Sequence, residues 1–153
     1  HWRMAGIDES TIGLLWALGV LCEIVLFSQG NRVLKHLDPR ALLILAGIGG
    51  LVRWLVLGAT TWVPALVLAQ TLHALTFGAA HLGAMHYLLR TIDPNLSARA
   101  QGLYSSGVMG IALSAGMLAA GPLYHALGGF AFLLMAGLSV LGIYVAAHLS
   151  RSA

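Results

Sequence analysis

Four ionisable side chains, Glu23, Arg53, His73 and His81, fall inside stretches of sequence that otherwise read as lipid-soluble. A carboxylate and two imidazoles can take up and release protons, and a planar guanidinium can hold a carboxylate through paired N–H donors. The chain around them is 59% hydrophobic and 8% charged, so each of these groups stands out against its neighbours. A charged residue at a helix centre in a bilayer costs about 2.5–3.5 kcal/mol, and such residues face a bundle interior or a water-filled pathway. Counting about 1.5 Å per residue from the nearest basic loop residue, Glu23 and His81 lie about 14 Å deep, Arg53 about 20 Å and His73 about 26 Å. All four fit within a hydrocarbon layer about 30 Å thick, which makes them the candidate pathway for a substrate and protons.

The elements that must position these groups are helices long enough to cross that layer. Apolar segments run over 11–29, 41–60, 64–89, 98–123 and 129–149. Each reaches the roughly 20 residues a helical span requires. A mean hydropathy of +0.87 sets the chain apart from soluble domains, in which apolar residues make up about half. The connecting segments are too short for a soluble domain. The fold class is therefore an all-α membrane protein with five transmembrane helices, and residues 1–10 form an outer loop.

The net charge of +3 is no nucleic-acid footprint, because the basic residues flank the spans. Arg32, Lys35, Arg40, Arg90, Arg99 and Arg151 fall on one side, while Arg3, beside Asp8 and Glu9, stands on the other. That asymmetry places the N-terminus outside and the C-terminus in the cytoplasm, as an odd number of spans requires. Cys22 is the single cysteine, so no internal disulfide can form and its expected role is packing. The chain opens on His rather than Met and shows no signal peptide, so it is expected to be a piece of a longer protein.

Asp8, Glu9 and Ser10 offer capping groups for the first helix. Residues 30–40, with Asp38-Pro39, are expected to be a cytoplasmic turn, and Asp93-Pro94-Asn95 the next one. Trp62 sits at headgroup depth in the outer turn 60–64. Gly47, Gly49, Gly50 and Gly58 make the second span unusually rich in glycine. Gly102, Ser106, Gly110 and Ser114 recur every four residues on the fourth span and read as a packing seam between helices. Pro122, after Gly121, is expected to bend or end that helix.

At 100° per residue, Gln70, His73, Phe77 and His81 share an arc of about 80° on the third span. Trp16, Gly19, Glu23 and Phe27 share one side of the first. Each helix thus presents a face mixing polar and aromatic groups, as a substrate cavity requires. His86 lies off this arc and reads as interfacial. Two plainer readings stand beside this one: Glu23 and Arg53 as a structural ion pair, and each histidine as a hydrogen-bonded core residue. The helix-three histidines share no common face and no cluster of Cys, Asp or Glu supports them, so no metal site and no cofactor is expected. Ser105, Ser106 and the histidines make no hydrolase signature, and the chain is not read as an enzyme.

From Ile12 onward the order of motifs resembles the C-terminal half of a major facilitator superfamily transporter. The resemblance is strongest to the phenylpropionate permease family, a neighbour of the lactose-permease-like and nucleoside:proton symporters. It is carried by TIGLLWALGVLCEIVLF (11–27), HALTFGAAHLGAMHYL (73–88), AQGLYSS (100–106) and AGPLYHALGG (120–129). It implies that the five spans are helices eight to twelve of a twelve-helix fold, with helix seven and the N-terminal half missing. It also makes residues 30–40 a degenerate copy of the superfamily's basic loop motif. Lactose-permease-like symporters carry a carboxylate in helix eight, an arginine in helix nine, and a histidine with a following glutamate in helix ten. Glu23, Arg53 and His73 look like the first three, while Thr76 stands where the glutamate is expected. Glu23 or His81 would then carry the proton.

The resemblance implies part of a proton-coupled secondary transporter in a bacterial inner membrane, with the substrate near the midplane between two six-helix halves. The substrate class it implies is an aromatic carboxylic acid such as phenylpropionate, with Arg53 as carboxylate partner. Its partners are the small molecule, protons, the lipid bilayer and the missing N-terminal half, with no nucleic acid. The alternatives are a sugar or nucleoside proton symporter of the same fold, or a non-transporting structural membrane protein.

Overall fold

Helix ends in this chain follow local capping chemistry. The computed structural model describes residues 1–149. Asp8 caps the first helix, its carboxylate accepting from the Thr11 N–H at 2.9 Å and the Thr11 hydroxyl at 2.7 Å. These bonds hold the Asp8 carboxyl down to about 2. Asp38 and Asp93 precede Pro39 and Pro94, which open their helices at positions where the missing N–H is not needed. The elements are α1 (Glu9–Ser28), α2 (Gly30–His36), α3 (Pro39–Ala59), α4 (Val63–Thr71), α5 (Ala80–Thr91), α6 (Pro94–Ser105), α7 (Leu113–Leu127) and α8 (Ala131–His148). A 3-10 turn at Arg3–Ala5 precedes them, and no strand occurs among the described residues.

Four uninterrupted stretches are long and apolar enough to cross a membrane: Glu9–Ser28, Pro39–Ala59, Val63–Thr91 and Pro94–His148. The third joins α4 to α5 through a π-helical segment, Ala74–Ala79, and the fourth joins α6 to α7 through another, Ser106–Ala112. The last stretch holds two spans, because the chain turns back through Gly128–Phe130. Gly128 takes φ 55° and ψ −134° there, a conformation glycine adopts without a steric penalty. Pro122 does not end its helix, which runs on to Leu127. A helix at lipid depth keeps its backbone bonded internally wherever it can, and the stop falls at the glycine instead. Arg151 lies outside the described residues.

Residues 30–40 also differ from the expected turn. The chain kinks at Gln29 and continues as α2, whose Val33 and Leu34, with Leu37 just after it, pack against Leu42, Ala46 and Ala79. The apolar spacing within this basic stretch is what makes it helical.

Glycines set the helix order, because they let backbones approach. A Cβ at Gly47 would fall 2.5 Å from the Ile143 side chain, one at Gly50 2.7 Å from Ser139 Oγ, and one at Gly58 3.0 Å from Phe132 Cβ. As numbers rise along α3 they fall along α8, so the two helices are antiparallel. The α1 contacts run the other way: Gly19 meets His73, Gly78 meets Leu26 and Gly30 meets Leu82, so α1 and the α4–α5 helix are parallel. The α6–α7 helix is peripheral. A Cβ at Gly102 or Gly110 would meet nothing within 4 Å, and Ser106 and Ser114 are exposed. The small-residue stripe is therefore no seam among these helices, and Ile111 and Leu118 beside it are 73% and 79% exposed.

Two outcomes follow from this packing. Gly47→Leu should destabilise the detergent-solubilised protein by about 1–3 kcal/mol through overpacking against α8, whereas Gly110→Leu should stay within about 0.5 kcal/mol. Equal melting of the two variants by tryptophan fluorescence would contradict the close α3–α8 approach. For Asp8, the folded value lies below the ordinary 3.8, so its capping contribution is present above about pH 4 and lost as pH falls toward 2. Hydrogen exchange at the Thr11 amide should accelerate over that window, and the step should vanish in Asp8→Ala.

Candidate functional site

Arg53 lies on the buried side of α3 and keeps 9% exposure. Its Nη2 donates to Gln70 Oε1 at 2.9 Å, and Gln70, at the end of α4, is 2% exposed. The guanidinium carbon also stands 4.9 Å from the centre of the Trp54 ring. Arg53 Nε is buried with no hydrogen-bond partner. The cation therefore has one neutral amide as its polar partner and a donor left over.

His73, one turn past Gln70, faces α1. Its Nε2 is 3.5 Å from Glu23 Oε2, with 26% and 16% of the two side chains exposed. Gly19 makes this approach possible, since a Cβ there would stand 3.3 Å from His73 Cβ. The imidazole stacks on Phe77, the ring centres 6.0 Å apart and the planes 18° from parallel. Thr76 donates its hydroxyl to the His73 carbonyl at 3.1 Å, an ordinary back-bond within the helix.

These groups border a cavity of about 850 Å³ between α3, α8 and the α4–α5 helix. Arg53, His73, Thr76 and Ser139 supply its polar edge. Trp16, Trp54 and Phe77 supply flat aromatic walls, and the rest of the lining is aliphatic. A large apolar pocket with a few convergent polar groups is the usual form of a small-molecule site.

Of the residues singled out from the sequence, Trp16, Arg53, His73 and Phe77 line this cavity. Glu23 stands behind His73 and Gln70 behind Arg53. Glu23 and Arg53 form no ion pair, because α1 packs on the α4–α5 helix and brings Glu23 to His73. His81 is not among the residues lining the cavity. A π segment separates it from His73, and its ring meets Phe27 and Tyr104. Trp54, Ser139 and Thr76 were not legible as cavity residues. Ser139 carried one signal, the one aliphatic hydroxyl in the apolar fifth span. Among the described residues, no group of three or more His, Cys, Asp or Glu is placed to hold a metal ion.

The described residues thus form an all-helical bundle whose cavity is edged by an arginine and a histidine, each with a polar partner. Residues 1–135 match the MFS_1 like family, and the chain belongs to this family of major facilitator transporters. A probable 3-phenylpropionic acid transporter of Escherichia coli (strain K12) is 38% identical over 136 residues, covering 89% of this chain and 36% of that relative. The chain thus spans little more than a third of the length of the curated relative it matches. No solved structure matches it.

The Arg53–Gln70 contact has a measurable weight. Gln70→Leu removes the partner of a buried cation and should lower stability by about 1.5–3 kcal/mol, the usual size for a hydrogen bond to a charged group. Thermal unfolding in detergent reads this directly, and an unchanged midpoint would show that water replaces Gln70.

Proposed function

We propose that the chain is part of a proton-coupled secondary transporter for a small aromatic carboxylic acid such as phenylpropionate, acting with further helices of the same protein. One observation carries the reading: Arg53, a buried cation on the cavity wall, has an unpartnered Nε and no carboxylate bonded to it, amid Trp16, Trp54 and Phe77. A buried charge without a counter-ion is unfavourable, and a substrate carboxylate would supply one while its ring rests on the aromatic walls. The name of the Escherichia coli relative points to the same chemistry.

Glu23 and His73 are the proton-handling pair on this reading. A carboxyl and an imidazole in contact can share one proton, and His73 borders the cavity with Glu23 behind it, where a change of access would alter their exposure to water. The side carrying Asp38 and Arg90 is cytoplasmic by the excess of basic residues, and the membrane is the bacterial inner membrane. The exposed Gly102–Ser114 stripe is where further helices of the transporter would pack. A sugar or nucleoside symporter remains the alternative of the same fold. A purely structural ion pair between Glu23 and Arg53 loses its basis, since each has another partner.

The test is uptake by the full-length transporter in proteoliposomes, using labelled phenylpropionate, a sugar and a nucleoside. Arg53→Lys keeps the charge but loses the planar fork, so KM for the acid should rise about 10- to 100-fold with folding intact. Glu23→Gln should abolish uphill uptake while exchange survives. Saturable uptake of the sugar or nucleoside, with none of the acid, would transfer the assignment to the alternative.

A further inference from the structure

Besides its hydrogen bond to Gln70, Arg53 has a contact that involves no polar atom. Its guanidinium carbon lies over the Trp54 ring, 4.9 Å from the ring centre. Such a contact draws on the negative π-face and, where water is excluded, is worth about two- to thirtyfold in an equilibrium. It occupies none of the five N–H donors that carboxylate oxygens need. A carboxylate side chain in this place would also hold the cation, but a substrate would have to displace it. An aromatic ring leaves the positive charge in place for an anion.

The Trp54 ring is itself held. It packs against the buried cluster that contains Leu57 and Leu66, and it stacks on Phe132 of α8, the centres 6.2 Å apart and the planes at 26°. Gly58, one turn after Trp54, admits this neighbour, since a Cβ there would stand 3.0 Å from Phe132 Cβ. Phe132 in turn meets the Tyr124 ring edge-on at 6.4 Å and the His1 ring at 5.3 Å. His1 Nδ1 and the Tyr124 hydroxyl share a hydrogen bond at 2.9 Å. Trp54 is half-buried in this stack, whereas Trp16 and Phe77, also on the cavity wall, are exposed. Those two rings have area to offer a substrate, while Trp54 is engaged with Arg53 and Phe132.

We propose that Trp54 is a positioning residue for Arg53 in substrate binding, its ring fixing the guanidinium that meets the carboxylate, while the substrate's own ring rests on Trp16 and Phe77. The inference rests on the reading of Arg53 as the carboxylate partner. Gln70 holds Nη2 through one hydrogen bond, and a single bond lets a guanidinium swing about it. The Trp54 ring supplies the second point of hold, so that Nε, the donor left without a partner, keeps one place. A Trp54 that only fills space would be indifferent to the electron density of its ring. A Trp54 that stacks on the substrate would act on aromatic acids alone.

The experiment uses the full-length transporter in proteoliposomes and follows exchange of labelled phenylpropionate at equal pH, with cyclohexylpropionate as competitor. The competitor keeps the carboxylate and the bulk but has no flat π ring. Tryptophans bearing one, two and three fluorines, inserted at position 54 alone, keep the shape and drain the π-face in steps. KM for phenylpropionate should rise stepwise to about tenfold, and the inhibition constant of the competitor by the same factor, while the maximum exchange rate holds. Trp54→Leu should reach the same tenfold, and Trp54→Phe, which keeps a π-face, should recover most of it. A KM indifferent to fluorine would reduce Trp54 to packing, and a rise confined to phenylpropionate would assign it to the substrate ring. Either result overturns the inference and leaves the transport reading standing. An unchanged KM in Arg53→Lys would remove Arg53 as the carboxylate partner and overturn both.

Discussion

The architecture depends on how closely backbones can approach α3. Lipid tails are as apolar as leucine, so helices in a bilayer gain little from hiding apolar surface and rely on tight packing and polar contacts. Gly47, Gly50 and Gly58 bring α8 against one side of α3, and Gly49 brings Leu75 against another. That placement carries Ser139 and Thr76 to the cavity edge and leaves Arg53 beside the end of α4, where Gln70 can reach it. A bulkier α3 would hold α8 and the α4–α5 helix apart, and the cavity would lose its walls along with its polar rim.

The polar groups are then divided into two pairs rather than joined in one. Arg53 is held by a neutral amide and Glu23 by an imidazole. A direct Glu23–Arg53 pair would have neutralised both charges permanently. On the proposed reading, this separation leaves the cation open to an anion and the carboxyl open to protons. His73, in contact with Glu23, lines the same cavity as Arg53.

Much of the fold was legible because its signals are local. The helix starts at Asp8, Asp38-Pro39 and Asp93-Pro94 are side-chain chemistry within a few residues of the cap, and the spans are long apolar runs. Arg53 and His73 stood out as cavity residues because charge is rare at that depth. The partners of these groups were not legible. Gln70 binding Arg53 depends on the crossing of α3 and α4, and Glu23 meeting His73 on the parallel packing of α1. The π segments escaped because a helical projection assumes even turns, and the contacts of His81 with Phe27 and Tyr104 depend on how α1 and α6 pack on α5. The stripe at Gly102, Ser106, Gly110 and Ser114 was visible, but spacing alone does not say which helix, if any, covers it.

The separate partners of Arg53 and Glu23 have an electrical consequence. On the proposed reading the empty carrier holds Arg53 as a cation and Glu23, its proton released, as a carboxylate, and loading adds an anion and a proton together. An elementary charge crossing the whole membrane field is worth about 2.3 kcal/mol per 100 mV, so a carrier whose net charge changed on loading would feel the voltage in one half of its cycle. One acid carried with one proton leaves the charge of the site unchanged. The pH difference, rather than the membrane potential, would then set the direction of the cycle.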